Sequence, residues 1–205
     1  MKTNRIIQKI LQGGLLLAFA SSGQAALMAL DPGKADQTSS QTQPLSGSEI
    51  ADLFGSSALL ENLYKAEVPE SSNDPVTEEG SFRHSYTTQF GFVNGDSATD
   101  PKSARITYDG EPDPWIQCPE CYLVVKDGAQ DPAQYLFDLG YETNSGIWDG
   151  RQTIEMTDFW PDQGAISHVA LWGSEQERQV PAPGTLALLG LGLLVLSFAR
   201  MRTRA

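Results

Sequence analysis

Alternation of apolar and polar residues from Phe82 to Phe92 is the feature that most limits what this chain can fold into. Phe82, His84, Tyr86, Thr88, Phe90 and Phe92 fall on one side of an extended backbone, with Arg83, Ser85, Thr87 and Gln89 on the other. A period of two over that length specifies a half-buried β-strand and excludes an amphipathic helix. Asn94-Gly95-Asp96 supplies the turn that ends it. Shorter runs with strand composition follow at 104–108, 122–125, 135–139, 153–156 and 166–172. Asp109-Gly110, Asp127-Gly128 and Asp149-Gly150 are turn dipeptides between them. Strands at this spacing predict a mainly β domain over 81–173, an antiparallel sandwich or jelly roll. A segment of about 95 residues can bury one such core and little more.

Residues 26–80 are rich in Ser, Gln, Pro, Asp and Glu and read as a polar linker. One short N-terminal helix is expected within it, over about 46–66. Ser46 followed by Glu49 matches a capping box, and Ile50, Leu53, Phe54, Leu60 and Tyr64 recur on one helical face. Gly55 weakens that run. A second linker, 174–179, follows the β domain.

Both ends of the chain are apolar and basic. Lys2, Arg5 and Lys9 precede an apolar stretch within Ile10–Ala20, and small residues at Gly23-Gln24-Ala25 suit a signal peptidase. The core Leu15–Ala20 is too short to span a bilayer, so residues 1–25 read as a cleaved signal peptide. Of the 14 cations, three lie at each extreme end, so eight face all 26 carboxylates in between, a net charge of −18 there. A field of that sign repels phosphate backbones and disfavours nucleic-acid binding.

At the C-terminus, the 14-residue apolar run Leu186–Ala199 reaches only about 21 Å as a helix. Counted from Val180, the span becomes about 30 Å, just enough for a membrane helix over about 184–199. The basic end 200–205, with Arg200, Arg202 and Arg204, places the C-terminus in the cytoplasm. Val180-Pro181-Ala182-Pro183, the Leu- and Gly-rich helix and the basic end together resemble the PEP-CTERM sorting signal of Gram-negative bacteria. The resemblance covers about the last eighth of the chain, and Ala182 stands where the family usually has Glu. It implies recognition by an exosortase, a membrane protease of the transpeptidase type. Transient residence in the inner membrane and release to the cell surface or extracellular polysaccharide matrix follow from it. "QYLFDLG" and "DFWPDQGAISHVALWG" are similar to segments of β-rich ectodomains that precede such tails.

The candidate sites are weaker. Cys118-Pro119-Glu120-Cys121 is the only cysteine pair. In an exported chain a structural disulfide is expected, with exchanging thiols or a metal site as alternatives. His84 and His168 read as core or rim histidines. Asp109, Glu111 and Asp113 alternate in a loop that could gather oxygen ligands around Ca²⁺, with Asp127 and Asp131 a weaker pair. The expectation is a solvated loop and no cofactor. Trp115, and Trp148 beside Asp149, could stack on sugar rings, or cap the ends of the core. No Ser-hydrolase, zinc-protease or phosphate-loop pattern occurs. The expected function is a non-enzymatic structural or adhesive surface protein. A glycan-binding module of the exopolysaccharide and a secreted hydrolase are the alternatives.

Overall fold

The computed structural model describes residues 27–110, 113–117, 119–127, 129–140 and 147–174. They form two sheets and one short α-helix. The four-stranded sheet runs in the order β1 (Leu27–Leu30), β9 (Thr153–Met156), β6 (Ala104–Tyr108), β5 (Tyr86–Phe90). The six-stranded sheet runs β2 (Gln37–Ser39), β8 (Gln134–Asp138), β7 (Cys121–Lys126), β10 (His168–Gly173), β3 (Glu61–Glu67), β4 (Thr77–Glu79). All pairings are antiparallel except β1 with β9, which is parallel.

Alternation places the core. In β5, Tyr86, Thr88 and Phe90 are buried while Thr87 and Gln89 face out, and Ile154 and Met156 do the same in β9. These side chains meet Tyr64, Leu123, Val125, Phe137, Val169 and Leu171 of the larger sheet in one shared hydrophobic cluster. The Tyr64 hydroxyl crosses between the sheets to Thr88 Oγ1 at 2.7 Å.

The centre of the larger sheet is buried on both faces, which explains why β7 reads as an apolar run. Cys121, Leu123 and Val125 enter the shared cluster. Tyr122 and Val124 point the other way, onto Ile50 and Ala51 of α1 (Gly47–Phe54). Phe54 stacks on Tyr122 with ring centres 4.4 Å apart. Ser46 and Glu49 cap the helix reciprocally, and it stops at Gly55, whose φ is 67°.

Three expectations are corrected. The helix ends at Phe54, and the Leu60–Tyr64 part of its pattern belongs to the approach to β3 and to β3 itself. A register shift between Leu171 and Trp172 pairs them with Tyr64 and Asn62, leaving Leu63 as the extra residue. Leu63 and Tyr64 are therefore both buried in succession, and a bulged strand imitates helical spacing. Second, residues 26–80 are more than a linker, since they supply β1 to β4. β2 (Gln-Thr-Ser) and β4 (Thr-Glu-Glu) are short edge strands exposed on much of their length, where polar composition protects against edge-to-edge pairing. Third, β5 starts at Tyr86, because Phe82–Ser85 forms a turn closed by Ser85 N–H to the Phe82 carbonyl at 2.9 Å. His84 is consequently exposed and does not lie on the apolar side of a strand.

Among the described residues no helix is long and apolar enough to cross a membrane. The expected membrane helix at about 184–199 and the signal peptide 1–25 lie outside the described residues.

Candidate functional site

Two aromatic clusters sit at opposite ends of β10. Gly173 pairs with Cys121 at one end and His168 with Lys126 at the other. The chain continues from Gly173 towards its C-terminus, so the first end is the tail end.

At the tail end, Tyr86 is the hub. Its hydroxyl donates to the Gly150 carbonyl at 2.7 Å and accepts from Ile116 N–H at 2.8 Å. Burial pushes its phenol well above the ordinary tyrosine range. Trp148 packs 6.0 Å from Tyr86, is 7% exposed, and donates its indole N–H to the Gln152 carbonyl at 2.8 Å. Trp115 is half-buried against Tyr108, and the Arg151 guanidinium lies 3.5 Å from the centre of its ring. Asp149 Oδ1 accepts from the N–H groups of Arg151 and Gln152, both at 2.8 Å, and so closes the turn. Only glycine fits at Gly150, because with φ at 82° an added Cβ would lie 2.0 Å from the Ile116 carbonyl oxygen. The structure thus brings Trp115, Trp148 and Asp149 together at one end of the fold, with Trp148 in the core and a guanidinium over one face of Trp115.

The other end carries a groove that sequence reasoning missed. Residues 158–164 run through Asp158, Phe159 and Trp160 before β10 begins. Asp158 and Trp160 both have left-handed backbones, with φ of 60° and 48°. Such a conformation in a bulky non-glycine residue costs about 1–3 kcal/mol and persists only where the surroundings impose it. They do so here. Phe159 is fully buried against Tyr135 and Phe137, and its N–H reaches the Lys102 carbonyl at 3.1 Å. The Trp160 indole donates to the Pro132 carbonyl at 2.9 Å. Asp127 Oδ2 accepts Ala165 N–H at 2.6 Å, and an added Cβ on Gly164 (φ 100°) would lie 2.3 Å from that same oxygen. Between this segment, the β7–β8 loop and the turn after β1 lies a cavity of about 560 Å³. Tyr135 and Trp160 are its aromatic residues; Asp31, Asp158 and Asp162 are its carboxylates; Gln130 and Gln163 are its carboxamides. The sequence did hold a signal for it: an aromatic pair between aspartates and a proline, in Asp158-Phe159-Trp160-Pro161-Asp162, suits neither a strand nor a helix.

The remaining candidates are dispersed. Asp109 is exposed and accepts from the Thr87 hydroxyl at 2.9 Å. The Asp113 backbone carbonyl accepts from the Tyr108 hydroxyl, and Glu111 lies outside the described residues. Asp127 is a buried structural acceptor, whereas Asp131 is exposed and bonds Ser40. Among the described residues no three acidic, histidine or cysteine side chains converge as metal ligands. His168 is buried, and desolvation, helped by Lys65 and Lys126, pulls it down to about 4. Cys121 is buried and carries no free thiol; its expected partner Cys118 lies outside the described residues. So do Val180, Pro181, Ala182, Pro183, Arg200, Arg202 and Arg204.

No curated protein and no solved structure matches the chain. Residues 179–202 match the family model of the PEP-CTERM protein-sorting motif, a stretch that includes the Val180–Pro183 box and Arg200 and Arg202. With the two-sheet domain ending at Gly173, the chain is a β-rich protein that carries a PEP-CTERM sorting motif at its C-terminus.

Proposed function

We propose that this is an exported, non-enzymatic surface or matrix protein, a β-sandwich ectodomain delivered by its C-terminal sorting signal. The match of residues 179–202 to the sorting motif carries this reading. In it, the signal peptide is removed on export and the helix at about 184–199 holds the chain in the inner membrane, with the arginines on the cytoplasmic side. Pro181 and Pro183 keep the box extended, presenting it to an exosortase. Five residues, 175–179, separate Ser174 from Val180, and even fully extended that step spans no more than about 22 Å. The tail end of the fold therefore stays near the membrane while the box is cut. Burial of Cys121 in a strand that enters the shared core supports the structural disulfide with Cys118.

The test is to produce the protein in its host with and without the sorting protease, then fractionate. Full-length chain should accumulate in the inner membrane when the protease is absent and leave it when the protease is present. An identical distribution in both strains would reject the reading.

A further inference from the structure

The groove at the end of the fold remote from the tail is, we propose, a binding site for neutral pyranose oligosaccharides. Its chemistry is what selects that class. Tyr135, half-buried, provides the aromatic surface, backed by Trp160, which is 7% exposed and whose indole N–H is held by the Pro132 carbonyl, while Asp158, Asp162, Gln130 and Gln163 provide hydrogen-bonding groups around it. A pyranose needs that pairing, an apolar face for its C–H groups and acceptors and donors for its hydroxyls.

Charge narrows the class further. The described lining contains no lysine or arginine and three aspartates, which disfavours uronic-acid, sulfated or phosphorylated chains. Lys34 donates its ammonium to the Ala29 carbonyl at 2.6 Å and also lies 3.9 Å from Asp31 Oδ2, so Asp158 and Asp162 set the sign of the lining. A divalent cation is no better match, because those carboxylates do not converge as ligands. The cavity of about 560 Å³ lies within the usual range of small-ligand sites, about 300–1,000 Å³.

Two observations distinguish this groove from an ordinary surface dent. Its central segment is held in a left-handed conformation at both Asp158 and Trp160, and such strain is concentrated at binding and catalytic sites. It is also fixed at both ends, by the Lys102 carbonyl on Phe159 N–H and by Asp127 on Ala165 N–H, so a ligand would meet a pre-formed surface. Position adds a third argument. β10 runs from His168, at the groove end, to Gly173 at the tail end, a separation of about 17 Å along the strand. The groove therefore lies at the opposite end of β10 from the point where the tail begins. The assignment goes beyond the sorting proposal and does not rest on it, since an unsorted chain has the same groove.

The test uses the full chain, solubilised in a detergent without a sugar headgroup. Cellohexaose, maltohexaose and mannohexaose are titrated by calorimetry, with alginate as the acidic control. At least one hexaose should bind saturably, and alginate should not compete. Asp158→Asn combined with Gln163→Ala should weaken that binding at least tenfold; asparagine accepts the left-handed backbone, and Gln163 is exposed. Arg151→Ala, at the tail end, should leave it unchanged. Gln163→Ala alone serves if the double variant loses its near-ultraviolet circular dichroism. Absence of binding to all three hexaoses, preference for alginate, or binding that survives the groove variants would overturn the proposal.

Discussion

The tail end and the groove end use the same residue types to opposite effect. At the tail end the aromatic groups are internally satisfied: the Tyr86 hydroxyl both donates and accepts, the Trp148 indole bonds a carbonyl, and Arg151 covers Trp115. At the groove end the Trp160 indole likewise bonds a carbonyl and its ring is buried, but the backbone is strained at two residues, Tyr135 is only half-buried, and carboxylates and carboxamides line a cavity. Tryptophans beside aspartates occur at both. What separates a core cap from a binding surface is where the hydrogen-bonding groups point, and a sequence does not record that.

Trp148→Ala should break the tail end most severely. Truncating a buried tryptophan costs about 3–5 kcal/mol, so the urea midpoint should fall sharply; a change below about 1 kcal/mol would mean the hub is not core.

The next effect belongs to the groove end. His168, facing Lys65, Lys126 and Glu67, is held down to about 4 against an ordinary value of 6.5. Between those pH values the unfolded chain binds a proton that the folded chain refuses. Stability present above pH 6.5 should therefore decline as pH falls towards 4 and level off below it, by an amount of order 3 kcal/mol. His168→Gln should flatten that slope, whatever it does to stability at neutral pH, as read by urea titrations at several pH values.

Tyr64→Phe removes two hydroxyl contacts at 2.7 Å, one to Thr88 that joins the two sheets and one to Glu78 on the neighbouring strand of its own sheet. It should cost about 1–2 kcal/mol and leave both ends otherwise intact. Asp162→Asn, on the exposed rim of the groove, should shift stability by less than about 0.5 kcal/mol. A large loss would make the rim structural and erase the contrast between the ends.

Strands with strong internal pattern were legible. Residues 104–108 and 153–156 are β6 and β9 as their composition suggested, and β7, β8 and β10 begin or end within two residues of expectation. The pattern failed where tertiary structure overrides it. The bulge against Leu171 put Leu63 and Tyr64 inward together and disguised β3 as helix. β2 and β4 were hidden because edge strands carry polar residues that resemble a linker. The sorting motif was legible for the opposite reason. A Pro-bounded box, an apolar run and an arginine cluster are contiguous, and need no fold to bring them together. The groove draws on the turn after β1, the β7–β8 loop and the segment before β10. Only the last of these has a sequence cue of its own.

The most direct measurement is the C-terminal mass of the mature protein from its own host, after separating inner membrane, surface and medium. The mature protein should carry a new C-terminus at or near the Val180–Pro183 box, on material outside the inner membrane. Intact chain ending beyond Arg204 and confined to the inner membrane would contradict it, and would point to Ala182 as the departure that blocks processing.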